Sequence, residues 1–102
     1  MTEHANIVRI LSARPKPGQD AALASVAQGG ARWLATRDGC FGAQASRLRE
    51  EAGTVAVISR WRDQSSLDAV LQSPEYRTQT APLFDLVDGR PTAVHYTSAD
   101  AG

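Results

Sequence analysis

The chain has 102 residues, of which 42% are hydrophobic, and its 11 basic and 11 acidic side chains give a formal net charge of zero. This composition predicts one globular domain over residues 1–102, with its core at about 6–98, and gives no electrostatic reason to expect nucleic acid or an anionic membrane as partner. With no apolar run near the roughly 20 residues of a membrane span, no secretory signal pattern and one cysteine, Cys40, we expect a cytoplasmic protein.

The first element predicted is a strand, followed by a long helix. Asn6 to Ala13 carries apolar residues on both parities, interrupted only by Arg9, which is typical of a strand covered on both faces. Apolar residues at a spacing of three and four then predict a helix from about Gln19 to Arg37.

Two adjacent glycines, Gly29 and Gly30, stand in the middle of that helix and cost it about 1 kcal/mol each relative to alanine. Either close packing of the helix on the sheet or space for a ligand beside Trp33 would explain them. After the Asp38-Gly39 turn, Cys40 to Glu50 predicts a second, weaker strand.

The stretch from Gly53 to Pro74 contains the clearest local signals. Alternation up to Trp61 predicts a third strand that is apolar on both faces. Asp63 can cap a helix whose apolar stripe includes Leu67 and Val70, and Ser73-Pro74 provides a cap and an N-terminal proline for another.

The last part of the chain predicts the end of this helical segment and a final strand. One helical face carries a set of mostly apolar residues, namely Tyr76, Thr80, Leu83, Phe84 and Val87. Pro82 is expected to kink or interrupt the helix, because it removes an amide and clashes with the preceding turn. Thr92 to Ser98 predicts the last strand; residues 1–5 and 99–102 are expected to be a loose arm and a tail.

These elements predict an α+β fold in the ferredoxin-like order β-α-β-β-α-β, with a four-stranded antiparallel sheet and the helices on one face. Because the strands are apolar on both parities, the second sheet face also needs cover. A single chain has no further element to cover that face, so we predict a homodimer in which the two sheets pack against each other.

Several of these residues carry a family resemblance. Arg37 to Gly42 (RDGCFG) enters the second strand, Trp61 ends the third, Leu67 follows six residues later, and Leu71 to Pro74 (LQSP) comes next. In this order and spacing the chain resembles the antibiotic biosynthesis monooxygenase family of dimeric α/β-barrel proteins, over about residues 6–98. Members include cofactor-free oxygenases that form quinones, haem-degrading enzymes and proteins without a known reaction.

The resemblance implies a ligand cavity between helices and sheet, bordered by the tryptophan that matches Trp61. It implies an aromatic or phenolic small molecule as ligand, no cofactor and no metal. A substrate that reduces dioxygen itself needs a dry site, a group that takes its proton and dipoles for its oxyanion. The residues expected at the site are Trp61, His95 and Asn6 as catalytic groups, and Trp33, Val57, Ser59, Leu67, Tyr76, Phe84 and Tyr96 as substrate-binding groups.

Other polar residues have alternatives. Arg9 is a further candidate on the first strand, whereas Arg60 has the opposite parity to Trp61 and is expected at the dimer interface. His95 and Tyr96 point to opposite faces, so at most one faces the cavity. Trp61 is equally explained as a core aromatic at the strand-to-helix corner, and Cys40 as a small buried apolar residue.

Three positions depart from the family pattern: the quinone-forming relatives carry asparagine and tyrosine where this chain has Val57 and Leu67, and many relatives carry histidine where Val70 stands. The haem branch has tryptophan and histidine where Val70 and Thr80 stand. Two hypotheses follow: a cofactor-independent monooxygenase acting on a phenol or quinol, and a non-enzymatic dimer that binds or senses a small hydrophobic molecule.

Overall fold

The computed structural model describes residues 6–99, which form one four-stranded antiparallel sheet with three helices. The predicted terminal arm and most of the tail lie outside the described residues. The elements in chain order are β1 (Ile7–Ala13), α1 (Asp20–Ala35), β2 (Cys40–Arg47), β3 (Val55–Trp61), α2 (Gln64–Leu71), α3 (Pro74–Leu86) and β4 (Thr92–Thr97).

The sheet has the strand order β2-β3-β1-β4, which confirms the ferredoxin-like arrangement. In register, Arg9 of β1 lies between Ser59 of β3 and His95 of β4. Since side chains alternate along a strand, these three residues share the sheet face that carries the helices. The residues that alternate with them along β1, β3 and β4 point to the other side of the sheet, which we call the open face.

The corners around α2 and α3 form as the sequence predicts. The Asp63 carboxylate accepts a hydrogen bond from the Ser66 amide at 2.8 Å, which caps α2. Ser73 caps α3 by accepting from the Tyr76 amide at 3.2 Å, and Pro74 follows at the start of the helix.

The turn before β2 requires glycine. Gly39 has a φ of +82°, and a Cβ there would overlap the Ser66 side chain of α2. The absence of a side chain at Gly39 therefore allows the turn to lie directly against α2.

Pro82 does not interrupt α3, and the predicted end of the second strand is wrong. α3 continues through Pro82 to Leu86 as one helix. Pro82 and Thr78, whose carbonyl loses its amide donor, are both exposed, so water can replace the missing hydrogen bond. The second strand ends at Arg47 rather than Glu50, since residues 49–53 form the turn into β3.

Two apolar clusters lie under the helices, at opposite ends of the sheet. The Leu23 core consists of buried residues from α1, the end of α3 and the adjoining strand ends: Ala13, Leu23, Ala24, Ala27, Val55, Leu83 and Val87. The Trp61 core lies at the other end and consists of Ile7, Leu34, Trp61, Leu67 and Val70. Packing is less complete where these clusters meet, and this position holds the candidate site.

Candidate functional site

A narrow cavity of about 40 Å³ lies between α1, α3 and the sheet, at the junction of the two cores. We call it the inner compartment. Its walls are mainly apolar, with a few polar groups from β1 and α3: Arg9, Leu11, Val26, Ala27, Gly30, Trp33, Leu34, Val57, Tyr76, Gln79, Thr80 and Leu83. An apolar wall with a few converging polar groups is typical of a site for a small organic ligand.

A wider hollow of about 230 Å³, the outer compartment, continues from it towards β4. The two share five lining residues: Arg9, Leu11, Tyr76, Thr80 and Leu83. Phe84, Pro91 and Ala93 complete the outer wall. Phe84, which the sequence names as a substrate-binding residue, is 61% exposed and borders the mouth of this hollow.

Arg9 and Tyr76 stand where the two compartments meet. The Arg9 guanidinium donates a hydrogen bond from Nη2 to the Tyr76 hydroxyl at 3.2 Å, and its Cζ lies 5.9 Å from the centre of the tyrosine ring. Arg9 is only 7% exposed although it carries a full charge. Together with Gln79 and Thr80, these two side chains supply the polar groups of a cavity whose other lining residues are apolar.

Trp33 forms the side of the inner compartment towards the Trp61 core. Its ring centre lies 6.5 Å from that of Tyr76, and the Arg37 guanidinium lies over its face at 4.7 Å. Gly30, one turn earlier, also lines the compartment, and a Cβ at Gly29 or Gly30 would meet no atom within 4 Å. Close packing therefore does not explain the two glycines, whereas Gly30 does open onto a cavity beside Trp33.

Trp61, Ser59 and Leu67 lie inside the protein rather than on a cavity wall. All three are fully buried, and none is among the residues that line either compartment. The Trp61 indole donates a hydrogen bond to the Ser59 hydroxyl at 2.9 Å, so this polar pair satisfies itself within the core. Val57, two residues before Ser59, does line the inner compartment.

The remaining predicted site residues lie at the periphery. The Asn6 side chain donates to the Arg62 carbonyl at 3.0 Å and holds the ends of β1 and β3 together. His95 is exposed on the helix-facing side of β4, two residues beyond Ala93 of the outer compartment. Tyr96 lies on the open face and is 57% exposed, so the two do point in opposite directions.

Two titratable groups near the Trp61 core have shifted pKa values. Hydrogen bonds from the Ser66 side chain and amide lower the pKa of Asp63 to about 2. Burial raises the pKa of the Cys40 thiol, which donates to the Gly42 carbonyl at 3.4 Å. Cys40 is half-buried and therefore holds its proton near neutral pH.

Within residues 6–99 there is no group of three or more His, Cys, Asp or Glu side chains placed to hold a metal ion. In the same part of the chain, no helix has both the length and the apolar character needed to cross a membrane.

Sequence reasoning named Trp33, Val57, Tyr76 and Phe84, which do line the two compartments. It left Arg9 among several polar candidates and did not select Thr80 or Leu83. The signal for Arg9 was present in the sequence: it is the one charged residue in an apolar strand, and its parity is that of the face under the helices.

The family comparison agrees with this architecture. The family model described as "Antibiotic biosynthesis monooxygenase" matches residues 6–80, whereas a comparison with curated proteins gave no significant match.

Solved structures of similar fold come from several bacteria. A candidate antibiotic biosynthesis monooxygenase from Nitrosomonas europaea superposes with a TM-score of 0.84 at 12% identity, covering 99% of this chain and 97% of that one. Another from Caulobacter crescentus superposes with a TM-score of 0.82 at 17% identity, covering 96% of this chain and 93% of that one. Rv0793 from Mycobacterium tuberculosis superposes with a TM-score of 0.82 at 20% identity, covering 94% of this chain and 97% of that one. At these identities the likeness shows a shared fold.

Proposed function

Since the chain belongs to the antibiotic biosynthesis monooxygenase family, we propose that it is a cofactor-independent monooxygenase that oxidises a small phenol or quinol to a quinone. The observation that carries the proposal is the cleft formed by the two compartments, which combines aromatic walls with the buried Arg9–Tyr76 pair. Such a cleft suits a flat hydrophobic ligand that carries an oxygen substituent.

The proposed reaction needs little from the protein beyond the cleft. Removal of a proton makes the bound phenol electron-rich enough to reduce dioxygen. A ring carbon that carries hydrogen takes one oxygen atom of dioxygen and becomes the new carbonyl, and the other oxygen atom leaves as water. Of the four electrons that reduce dioxygen, three come from this carbon and one from the ring carbon that carries the original phenol oxygen. The apolar walls supply a site from which water is largely excluded, and Arg9 and Tyr76 stabilise the oxyanion.

His95 is our candidate for the group that takes the proton. It is in register with Arg9 on the neighbouring strand, and Ala93 on the same side of β4 lines the outer compartment. Its exposure would let it return the proton to water. Direct catalytic roles for Trp61 and Asn6 stay predictions; their contacts in the fold support roles in holding the ends of β1 and β3.

The reaction can be tested by oxygen uptake with a panel of hydroquinones and anthrones, in protein freed of metals and flavin. We expect consumption above the uncatalysed rate, with one atom of labelled dioxygen in the quinone product. Gly30→Leu, which fills the inner compartment, should lower the rate, whereas Gly29→Leu should retain it. No consumption above background by the wild-type protein would contradict the proposal.

A non-enzymatic ligand-binding role is the second candidate. It is supported by three apolar residues at positions where the family resemblance implies polar groups in relatives. Val57 lines the inner compartment, and Leu67 and Val70 belong to the Trp61 core. Saturable binding of an aromatic probe without oxygen uptake would favour this role.

We further propose that two copies associate through their open faces. The open face carries a band of apolar side chains across three strands, two of them about half exposed: Val8, Ile10, Ile58, Val94 and Tyr96. A hollow of about 630 Å³ continues over Ile10, Ala56 and Ile58. A contiguous apolar patch of this kind on a sheet is typical of an interface.

Sedimentation at micromolar concentration would test the association. We expect the wild-type chain to sediment as a dimer. Ile58→Lys, which places a charge in the centre of the open face, should give a monomer. Ala69→Lys, on the exposed side of α2, is the matched control and should leave the dimer intact. A wild-type monomer would contradict the proposal.

A further inference from the structure

Arg9 is a buried cation that has no anionic partner in the part of the chain that the structure describes. The ion pairs found there join Arg14 to Glu51 and Arg62 to Asp63, and neither involves Arg9. The Arg9 Nε is buried without a hydrogen-bond partner, and the neutral Tyr76 hydroxyl accepts from Nη2.

The neighbours of Arg9 in the sheet do not supply the missing acceptor. Ser59, its partner on β3, already accepts from the Trp61 indole, and His95 on β4 is exposed. A buried guanidinium without a counter-charge is costly, because desolvation is not offset by ion pairing. An anion that enters the cleft would remove this cost, so the free energy of its binding includes the relief of an unpaired charge.

The sizes of the compartments indicate how such a ligand would lie. An apolar cavity of about 150 Å³ is known to hold benzene, so the inner compartment at about 40 Å³ is too small for a ring, whereas the outer one at about 230 Å³ is large enough. Arg9 and Tyr76 line both. A ring in the outer compartment would therefore direct a substituent at the guanidinium.

We infer that Arg9, assisted by the Tyr76 hydroxyl, is an anion-binding group, and that the ligand is an aromatic compound with an ionised oxygen on its ring system. A phenolate and an aryl carboxylate share this chemistry. The inference rests on the proposed function for the location of the ligand, and it deepens that function. A guanidinium that favours the phenolate promotes ionisation of the phenol before dioxygen reacts.

Calorimetric titration with two probes of the same ring tests the inference. 2-Naphthoate carries the charge, and 2-naphthylmethanol is neutral. We expect the wild-type protein to bind the naphthoate about tenfold more tightly or better, because a charge-assisted bidentate contact is available to it alone. Equal affinity for the two probes would exclude an aryl carboxylate as the ligand, and together with an unmoved phenol titration it would overturn the inference.

Arg9→Met removes the charge while keeping the volume and should lower naphthoate affinity by about tenfold or more, leaving the neutral probe within about threefold. Arg77→Met, on the exposed side of α3 next to Tyr76, is the matched control and should leave both affinities nearly unchanged. If a folded Arg9→Met protein loses affinity for both probes to a similar extent, Arg9 has a structural role and the inference is overturned.

A measurement on the wild-type protein alone keeps the test independent of folding of the variants. 4-Nitrophenol becomes yellow on ionisation, and its titration in the presence of excess protein should move to lower pH than in buffer. A titration that does not move, together with no preference for naphthoate, contradicts the inference; a shift or a preference for naphthoate alone identifies which of the two anions the site accepts. Oxygen uptake is not involved, so the anion site can be established even if the oxygenase proposal fails.

Discussion

The Trp61 core and the cleft around Arg9 lie side by side on the same face of the sheet, and they differ in whether their buried polar groups have partners. In the Trp61 core, the indole N–H and the Ser59 hydroxyl satisfy each other, and no residue of this pair reaches a cavity. In the cleft, Arg9 is almost as well buried and lines both compartments, but among the residues that the structure describes its Nε has no hydrogen-bond partner.

The Trp61 core and the cleft therefore differ in what they contribute to the protein. A closed polar pair stabilises the fold, since neither partner depends on anything outside the chain. An unpaired buried cation does not stabilise the fold, and its natural explanation is a ligand. Variants on the two sides should therefore separate stability from binding.

The largest effect is expected for Trp61→Ala, which should lower the free energy of unfolding by about 3–5 kcal/mol, since it empties the centre of a filled core. Trp33→Ala, in the half-buried wall of the cleft, should cost only about 1 kcal/mol and weaken binding of an aromatic probe. Denaturant titration of both variants measures the contrast. Equal losses would show that the two regions are packed alike.

Ser59→Ala should be the next most damaging change. It leaves the buried indole N–H without an acceptor, which costs about 1–3 kcal/mol. The matched change in the cleft, Arg9→Met, should leave the melting temperature the same or raise it, because it removes an unpaired charge. A marked fall in melting temperature for Arg9→Met would break the comparison.

The glycine pair in α1 provides a smaller and sharper test. Gly29→Ala and Gly30→Ala should each stabilise the protein by about 0.5–1 kcal/mol, since both remove a helix-interior glycine and neither new methyl group meets a neighbour. Only Gly30→Ala adds a methyl group to the cleft, so it alone should change probe affinity. Thermal melts and calorimetry on the two variants would show whether stability and binding separate within two adjacent residues.

The smallest effect concerns the cap of α2. The pKa of Asp63 is 3.8 unperturbed and about 2 in the folded protein, so its carboxylate contributes stability that is fully present above about pH 4. This contribution is lost as the pH falls through about 2. The melting temperature of Asp63→Ala should therefore lie below that of wild type at neutral pH and converge with it in acid. If the difference in melting temperature stayed constant from neutral pH down to about pH 2, the ionised Asp63 carboxylate would not be the source of the stabilisation.

Much of the fold could be predicted because its signals are local. The caps at Asp63 and Ser73-Pro74 and the turn at Gly39 each depend on residues close in sequence, and the structure contains all three. That α3 continues through Pro82 could not be predicted, because it depends on whether water reaches the freed carbonyl, which is a property of the packed molecule.

The candidate site was predicted less completely. The alternation of β3 places Val57, Ser59 and Trp61 on one face, and the structure confirms this shared parity. Alternation does not tell which of them borders a cavity. Val57 does so because it shares the wall of the inner compartment with Gly30, which has no side chain to fill the space. Trp61 is instead enclosed by a cluster of side chains from three elements: Ile7, Leu34, Leu67 and Val70.

The sequence by itself therefore determined the order of the elements, their caps and the face to which each strand residue points, since backbone geometry fixes these over a few residues. Only the tertiary structure decided that Trp61 is closed within a core and that Arg9, beside a cavity, has no counter-charge among residues 6–99. Burial and pairing depend on side chains that meet from distant parts of the chain, and no spacing along the sequence encodes how well they fill the space between them.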